Sequence, residues 1–173
     1  MNTLWAPWRM QYILGKKERG CIFCREPRKE ANRGSLVVYE ARHAFVMMNK
    51  FPYNNGHLIV APKRHCPDLA GLGPREFGEL FELVRTSVQV LKKSLGAHGF
   101  NVGINLGKVA GAGVVNHVHL HIVPRWRGDT NFMPIIGETK VIPEYLEKTC
   151  ERLHSDFLQF TRRKGTRKGG RTR

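Results

Sequence analysis

The sequence predicts an α+β fold: a mainly antiparallel sheet, one long central helix and a C-terminal helix. Three observations carry this. Short runs rich in β-branched and aromatic residues come first, at 35–40, 43–49 and 56–65. Between Pro74 and Gly96, apolar residues then recur three and four positions apart. Two further strand-like runs follow, at 100–106 and 117–125, and then a second helical pattern.

Taken in order, residues 1–20 read as an irregular segment anchored by Trp5, Pro7, Trp8 and Tyr12. SLVVYE and HAFVMMN read as two strands joined by a tight turn, and GHLIVAPKRH as a strand that ends near Pro62. Pro74 suits the first turn of a helix and Gly96 suits its end. Phe77, Leu80, Phe81, Val84, Val88, Leu91 and Leu95 would form its one apolar face. FNVGINL and HVHLHIVPR read as strands, with the glycine-rich stretch LGKVAGAGVV between them. The last helix is expected from about Pro143 to Phe160. We expect one domain over 1–160 and a basic, unstructured tail over 161–173.

The chain has 173 residues, of which 41% are hydrophobic, enough for one real core. No apolar run approaches the roughly 20 residues that a membrane span needs. The opening MNTLWAPWRMQYI has neither the basic start nor the apolar stretch of a signal peptide, so a cytoplasmic protein is expected. Net charge is +15, and the tail TRRKGTRKGGRTR contributes seven basic residues and no acid. The remaining body is basic too, which favours polyanionic partners such as nucleotides, polyphosphates or, through the tail, nucleic acid.

The densest chemistry lies in NHVHLHIVPRW, residues 116–126. In a strand, successive side chains point to opposite faces. Val118, Leu120 and Ile122 would then face a core while His117, His119 and His121 share the other side. Three imidazoles in a row are costly to bury without partners. Two functions remain open from the residues alone. One is a three-histidine metal site. The other is a phosphate site with a histidine nucleophile: a neutral imidazole attacks phosphorus without a base to deprotonate it, neighbouring rings donate to phosphoryl oxygens, and the glycines of AGAG offer backbone N–H groups.

Four cysteines occur, and the expected reducing compartment argues against disulfides. Cys21 and Cys24 have the spacing of half a zinc knuckle. The rival is a redox pair, but that arrangement belongs at the start of a helix in a βαβ unit, which this chain lacks. Cys66, adjacent to His65, is a less natural metal ligand, and Cys150 reads as an ordinary helix residue.

HVHLHIV resembles the alternating signature of the histidine triad (HIT) superfamily, His-φ-His-φ-His-φ-φ with φ apolar. The resemblance extends through VMMNKFPYNNGHLIVAPKRH and GINLGKVAGAGVVNHVHLHIVPRW, roughly residues 20–126. LWAPWRMQYI followed by CIFC is similar to bacterial members described as diadenosine tetraphosphate (Ap4A) phosphorylases or ATP adenylyltransferases. The resemblance implies a HIT-like fold, and His119 as the nucleophile that takes a nucleotidyl group. It implies that His121 assists at the phosphate beside His117, that Asn49 holds ribose hydroxyls, and that His57 supports the triad. Asn105 stands where relatives contact phosphate with Gln, and Gly111 and Gly113 would shape the phosphate loop. For the cysteines it implies a structural zinc closed by His65, of PKRH, and His117, with no organic cofactor. Trp5 and Trp8 would cap a core edge, meet a dimer partner or wall the adenine.

The implied activity is cleavage of a dinucleoside polyphosphate at its α-phosphate, by a homodimer, with phosphate or water resolving the intermediate. Alternatives are a nucleoside phosphoramidate hydrolase, a hydrolase of adenylated nucleic-acid 5′ ends, and a nucleotide-sensing scaffold with little turnover.

Overall fold

The computed structural model describes residues 20–28, 35–129 and 144–168. Trp5, Pro7, Trp8, Tyr12 and the last five residues of the tail therefore lie outside the described residues. Five strands form one antiparallel sheet: β1 (Val37–Glu40), β2 (Ala44–Met48), β3 (Leu58–Pro62), β4 (Gly99–Ile104) and β5 (Leu120–Arg125). Their spatial order is β1-β2-β3-β5-β4. Among the described residues, three α-helices accompany them: the single turn α1 (Ile22–Arg25), followed by a 3-10 turn at Glu26–Arg28, the long α2 (Pro74–Leu95) and α3 (Leu146–Lys168).

The centre of the sheet is buried on both faces, which explains why β2 and β3 read as unbroken apolar runs. Alternate residues serve two cores. Ala44, Val46, Met48, Leu58, Val60, Leu120 and Ile122 pack under the helices with Leu80, Leu91, Leu153 and Phe157. Phe45, Met47, Ile59 and Ala61 point the other way and pack around Phe23 of α1. In the register of β3 and β5, Ile59 pairs with His121, so His121 shares the Phe23 side of the sheet.

α2 begins and ends where its sequence predicts. The Gly73 N–H donates to Glu76 Oε2 at 2.9 Å, satisfying a donor at the helix start. Gly96 closes the helix at φ 61°, a left-handed conformation that glycine adopts without strain. The buried stripe differs from the expected one. Leu80, Leu83, Thr86, Ser87, Val90 and Leu91 are buried, whereas Phe77 and Phe81 are exposed and lie ring against ring, with centroids 4.7 Å apart. Ser87 fits inside because its hydroxyl donates to Leu83 O at 2.7 Å.

Two boundaries also move. The last strand starts at Leu120 rather than His117. Its neighbour β3 ends at Pro62, which has no N–H to continue the ladder. Val118 N–H instead donates to Cys66 O at 2.7 Å. The last helix continues past Phe160 to Lys168, into the segment expected to be an unstructured tail. Thr161 donates back to Phe157 O at 2.9 Å, and basic residues are favourable at a helix C-terminus. No helix among the described residues is long and apolar enough to cross a membrane.

Candidate active site and metal seat

The histidine ladder divides between two places. His119 and His121 line a solvent-open cleft of about 770 Å³, together with Phe23, Asn49, Tyr53 and Asn105. His117 is fully buried and its ring turns away toward Cys21, Cys24 and His65. The local backbone explains the split, because His117 and His119 precede the paired part of β5 and are placed by the end of β3.

Burial lowers the pKa of all three rings. For His117, nearby His65 and His119 add to the effect; for His121, His119 adds to it and the value falls to about 4. All three are therefore neutral at pH 7, with one N–H each, and the partners decide which nitrogen carries it. His119 Nδ1 faces the His117 carbonyl at 2.8 Å and donates to it. Its Nε2 is left as a bare lone pair. His117 Nε2 faces the Pro62 carbonyl at 2.9 Å and donates to it, so its Nδ1 is bare.

The proton on His121 is assigned through His57. The Tyr53 N–H donates to His57 Nδ1 at 3.0 Å and Asn49 Nδ2 donates to the same atom at 3.2 Å. The orientation of that Asn49 amide is set by the Phe51 N–H, which donates to Asn49 Oδ1 at 3.0 Å. His57 must then carry its hydrogen on Nε2, which donates to His121 Nδ1 at 3.0 Å. His121 consequently carries its own hydrogen on Nε2. The cleft thus holds two adjacent rings with opposite roles, a lone pair on His119 and an N–H on His121, their centroids 5.0 Å apart. A bare imidazole nitrogen can act as a nucleophile, and an imidazole N–H can donate to developing negative charge.

The remaining expected residues are also brought together. Asn49 lines the cleft while its amide orients His57. His57 is fully buried and supports His121 from behind. Gly111 and Gly113 line the cleft, and Asn105 Nδ2 reaches Gly111 O at 3.5 Å. The loop differs from expectation in one respect. The N–H groups of Gly111 and Ala112 close turns onto Lys108 O and Gly107 O at 3.0 and 3.3 Å. Those two donors hold the loop's own shape, and the φ of 86° at Gly111 is why glycine stands there.

Among the cleft residues that went unread in the sequence, Phe23 and Tyr53 pack directly on the histidines. Phe23 packs on His119 with ring centroids 4.6 Å apart, and Tyr53 stacks on His57 at 5.0 Å. Phe23 sits inside the C-I-F-C motif, where attention falls on the cysteines. Tyr53 sits in a turn, where no periodicity marks a face.

Cys21, Cys24, His65 and His117 bring four ligand atoms within 4.8 Å of one another. Cys21 Sγ and Cys24 Sγ lie 3.3 and 3.6 Å from His117 Nδ1, and Cys24 Sγ lies 3.3 Å from His65 Nδ1. In a tetrahedral zinc site with ordinary Zn–S and Zn–N bonds, such edges are roughly 3.5 Å. The residues therefore fit zinc, and the Pro62 carbonyl fixes His117 in the tautomer that offers Nδ1. Four protein ligands leave no open position, so the metal would supply a structural tie rather than a reactive centre.

An antiparallel sheet with a histidine lone pair and a histidine N–H side by side in a cleft, and a Cys2His2 seat behind them, defines a histidine triad protein with a metal seat. The chain belongs to the HIT domain family, whose model matches residues 30–128. It is 36% identical over 172 residues to the "AP-4-A phosphorylase" of Mycobacterium tuberculosis, covering 92% of this chain and 86% of that one. It is 37% identical over 125 residues to an asymmetrical bis(5'-nucleosyl)-tetraphosphatase of Schizosaccharomyces pombe, covering 72% of this chain and 65% of that one. Among solved structures it resembles a Zn-bound histidine triad family protein from Mycobacterium smegmatis, with TM-score 0.65 and 27% identity over 82% of this chain and 96% of the other.

Proposed function

We propose that this chain is an enzyme that cleaves dinucleoside polyphosphates of the Ap4A type at an α-phosphate, through a nucleotidyl-histidine on His119. The observation that carries this reading is the pair of opposed tautomers in the cleft. His119 presents a bare nitrogen because its other nitrogen donates to the His117 carbonyl. His121 presents an N–H because His57 donates to its other nitrogen. The names of the Mycobacterium and Schizosaccharomyces relatives support the substrate class.

In the first step, His119 Nε2 forms a bond to the α-phosphorus as the bond from phosphorus to the bridging oxygen breaks. With Ap4A, ATP leaves with that electron pair and AMP stays on the histidine. His121 Nε2–H hydrogen-bonds the phosphoryl group as charge builds. In the second step, inorganic phosphate or water attacks the same phosphorus and restores the bare nitrogen, giving ADP or AMP. Asn49 keeps one amide hydrogen and one lone pair beyond its bonds to His57 and Phe51, and these suit ribose hydroxyls.

Product analysis tests the reading. Ap4A incubated with and without phosphate should yield ADP and ATP only with phosphate if the chain is a phosphorylase, or AMP and ATP in both if it is a hydrolase. No cleavage under either condition sinks the proposal and favours a phosphoramidate, an adenylated nucleic-acid end or a sensing role. We further read the chain as a cytoplasmic homodimer joined through α2 and the β4 edge, where Phe77, Phe81 and Val102 are exposed. Its basic C-terminal end is suited to nucleic acid.

A further inference from the structure

The metal seat and the cleft share one short piece of chain. Cys21 and Cys24 supply two of the four metal ligands, and the residues between them, Ile22 and Phe23, line the cleft. The turn is tight: Cys24 N–H and Arg25 N–H both donate to Cys21 O at 3.2 Å. Phe23 is 2% exposed, with its ring 5.3 Å from that of the ligand His117 and 4.6 Å from that of His119. A side chain next to Cys24 and two residues from Cys21 thus packs on His119 and forms a wall of the cleft. A four-residue turn with both ends held cannot move its middle independently.

We propose that the metal seat controls the nucleotide cleft: metal bound at Cys21, Cys24, His65 and His117 holds Phe23 against His119, so that metal and nucleotide each bind more tightly in the presence of the other. Phe23 is the positioning residue that carries the coupling. The inference rests on the reading that the cleft takes nucleotides. Coupling of this kind is reciprocal by thermodynamic necessity. If Zn2+ tightens the binding of a nucleotide by some factor, the nucleotide tightens the binding of Zn2+ by the same factor. A zinc that only stabilised the fold at a distance would leave a folded, metal-depleted cleft with its affinity unchanged.

AMP serves as probe because it fills a nucleotide cleft without turnover. The first measurement is AMP affinity by calorimetry on the full chain, zinc-loaded and after chelation, with circular dichroism to establish that the depleted protein is folded. We expect about a tenfold loss of AMP affinity on depletion. The second is zinc affinity by equilibrium competition with a chromophoric chelator, with and without saturating AMP, and this holds even if full depletion unfolds the chain. AMP should raise zinc affinity by the same factor in the wild type. In Phe23→Ala, where the ring no longer links the two sites, that factor should fall to within twofold of unity, while Phe23→Tyr should retain it. AMP binding with no effect on zinc affinity in the wild type overturns the coupling alone. Undiminished coupling in Phe23→Ala removes Phe23 from the role. Absence of any AMP binding overturns the nucleotide reading and the coupling with it.

Discussion

His57 does not line the cleft, yet it decides which nitrogen of His121 carries hydrogen, and its own tautomer is set by the Tyr53 N–H and the Asn49 amide. Replacing His57 by Ala should therefore lower kcat roughly 10- to 100-fold, the worth of one hydrogen bond to charge developing on the substrate. KM should change much less. Steady-state kinetics decide the point: equal losses in kcat and affinity would mean that His57 only shapes the cleft. Replacing His119 by Ala should cost far more, at least about 10³-fold in kcat, because it removes the proposed nucleophile itself rather than a group that orients a donor. The ring of His121 makes a prediction about pH. Burial, with His119 beside it, holds its pKa at about 4, below the ordinary value of 6.5. The folded state thus disfavours the proton that the unfolded chain accepts. Its stability is complete above about pH 6.5 and declines as pH falls toward 4, by about 3 kcal/mol in all. Denaturant unfolding at a series of pH values should show a shallower decline for His121→Gln than for the wild type. Identical slopes would show that this ring is not a source of acid sensitivity.

At the scale of elements, the strands were readable wherever burial imposed a simple pattern. β2 and β3 are apolar throughout because both faces are covered, and the continuous runs in the sequence say so. α2 was readable in its ends, where Pro74 and Gly96 act locally, but not in the exact face it buries. Phe77 and Phe81 satisfy the same periodicity as Leu80 and Leu91, and only the position of the sheet leaves them outside. The start of β5 was misread for a similar reason. Alternation in HVHLHIV continues back to His117, whereas the pairing with β3 stops at Leu120 opposite Val60, two residues before β3 ends at Pro62. α3 is tied to the sheet by Phe157, which is fully buried and stacks on Tyr39 with centroids 5.6 Å apart. Phe157→Ala should destabilise the chain by about 3–5 kcal/mol, as expected for an aromatic ring removed from a closed core. Urea unfolding measures this directly. A loss below about 1 kcal/mol would mean that α3 contributes little to the fold.

Over the whole molecule, the metal seat ties together parts of the chain that are far apart in sequence. It brings together a turn at the start of the described chain, the segment after β3 and the segment before β5, with Cys21 and His117 separated by 96 positions in sequence. A metal that binds the folded chain alone stabilises it by mass action. Chelation should lower Tm by roughly 6–12 °C, which corresponds to about 3 kcal/mol for a chain of this length. Cys24→Ser should show the same low Tm with and without added Zn2+. Calorimetry that finds no zinc-dependent shift in the wild type would remove the seat from the account of stability.

The sequence by itself determined the antiparallel frame, the long helix and the identities of the chemical groups, because strand alternation, helix caps and metal-ligand spacing are local properties of neighbouring residues. It also brought the cysteine pair, the triad and its supporting His57 into view through a shared pattern. Only the tertiary structure decided how the three histidines divide their work. Which nitrogen each ring leaves bare depends on the Pro62 and His117 carbonyls and on the Tyr53 N–H, groups that the fold, not residue type, brings within 2.8–3.0 Å. The same holds for Phe23. Its place against His119 follows from a turn pinned across the sheet, a relation between positions nearly a hundred residues apart that no local spacing encodes.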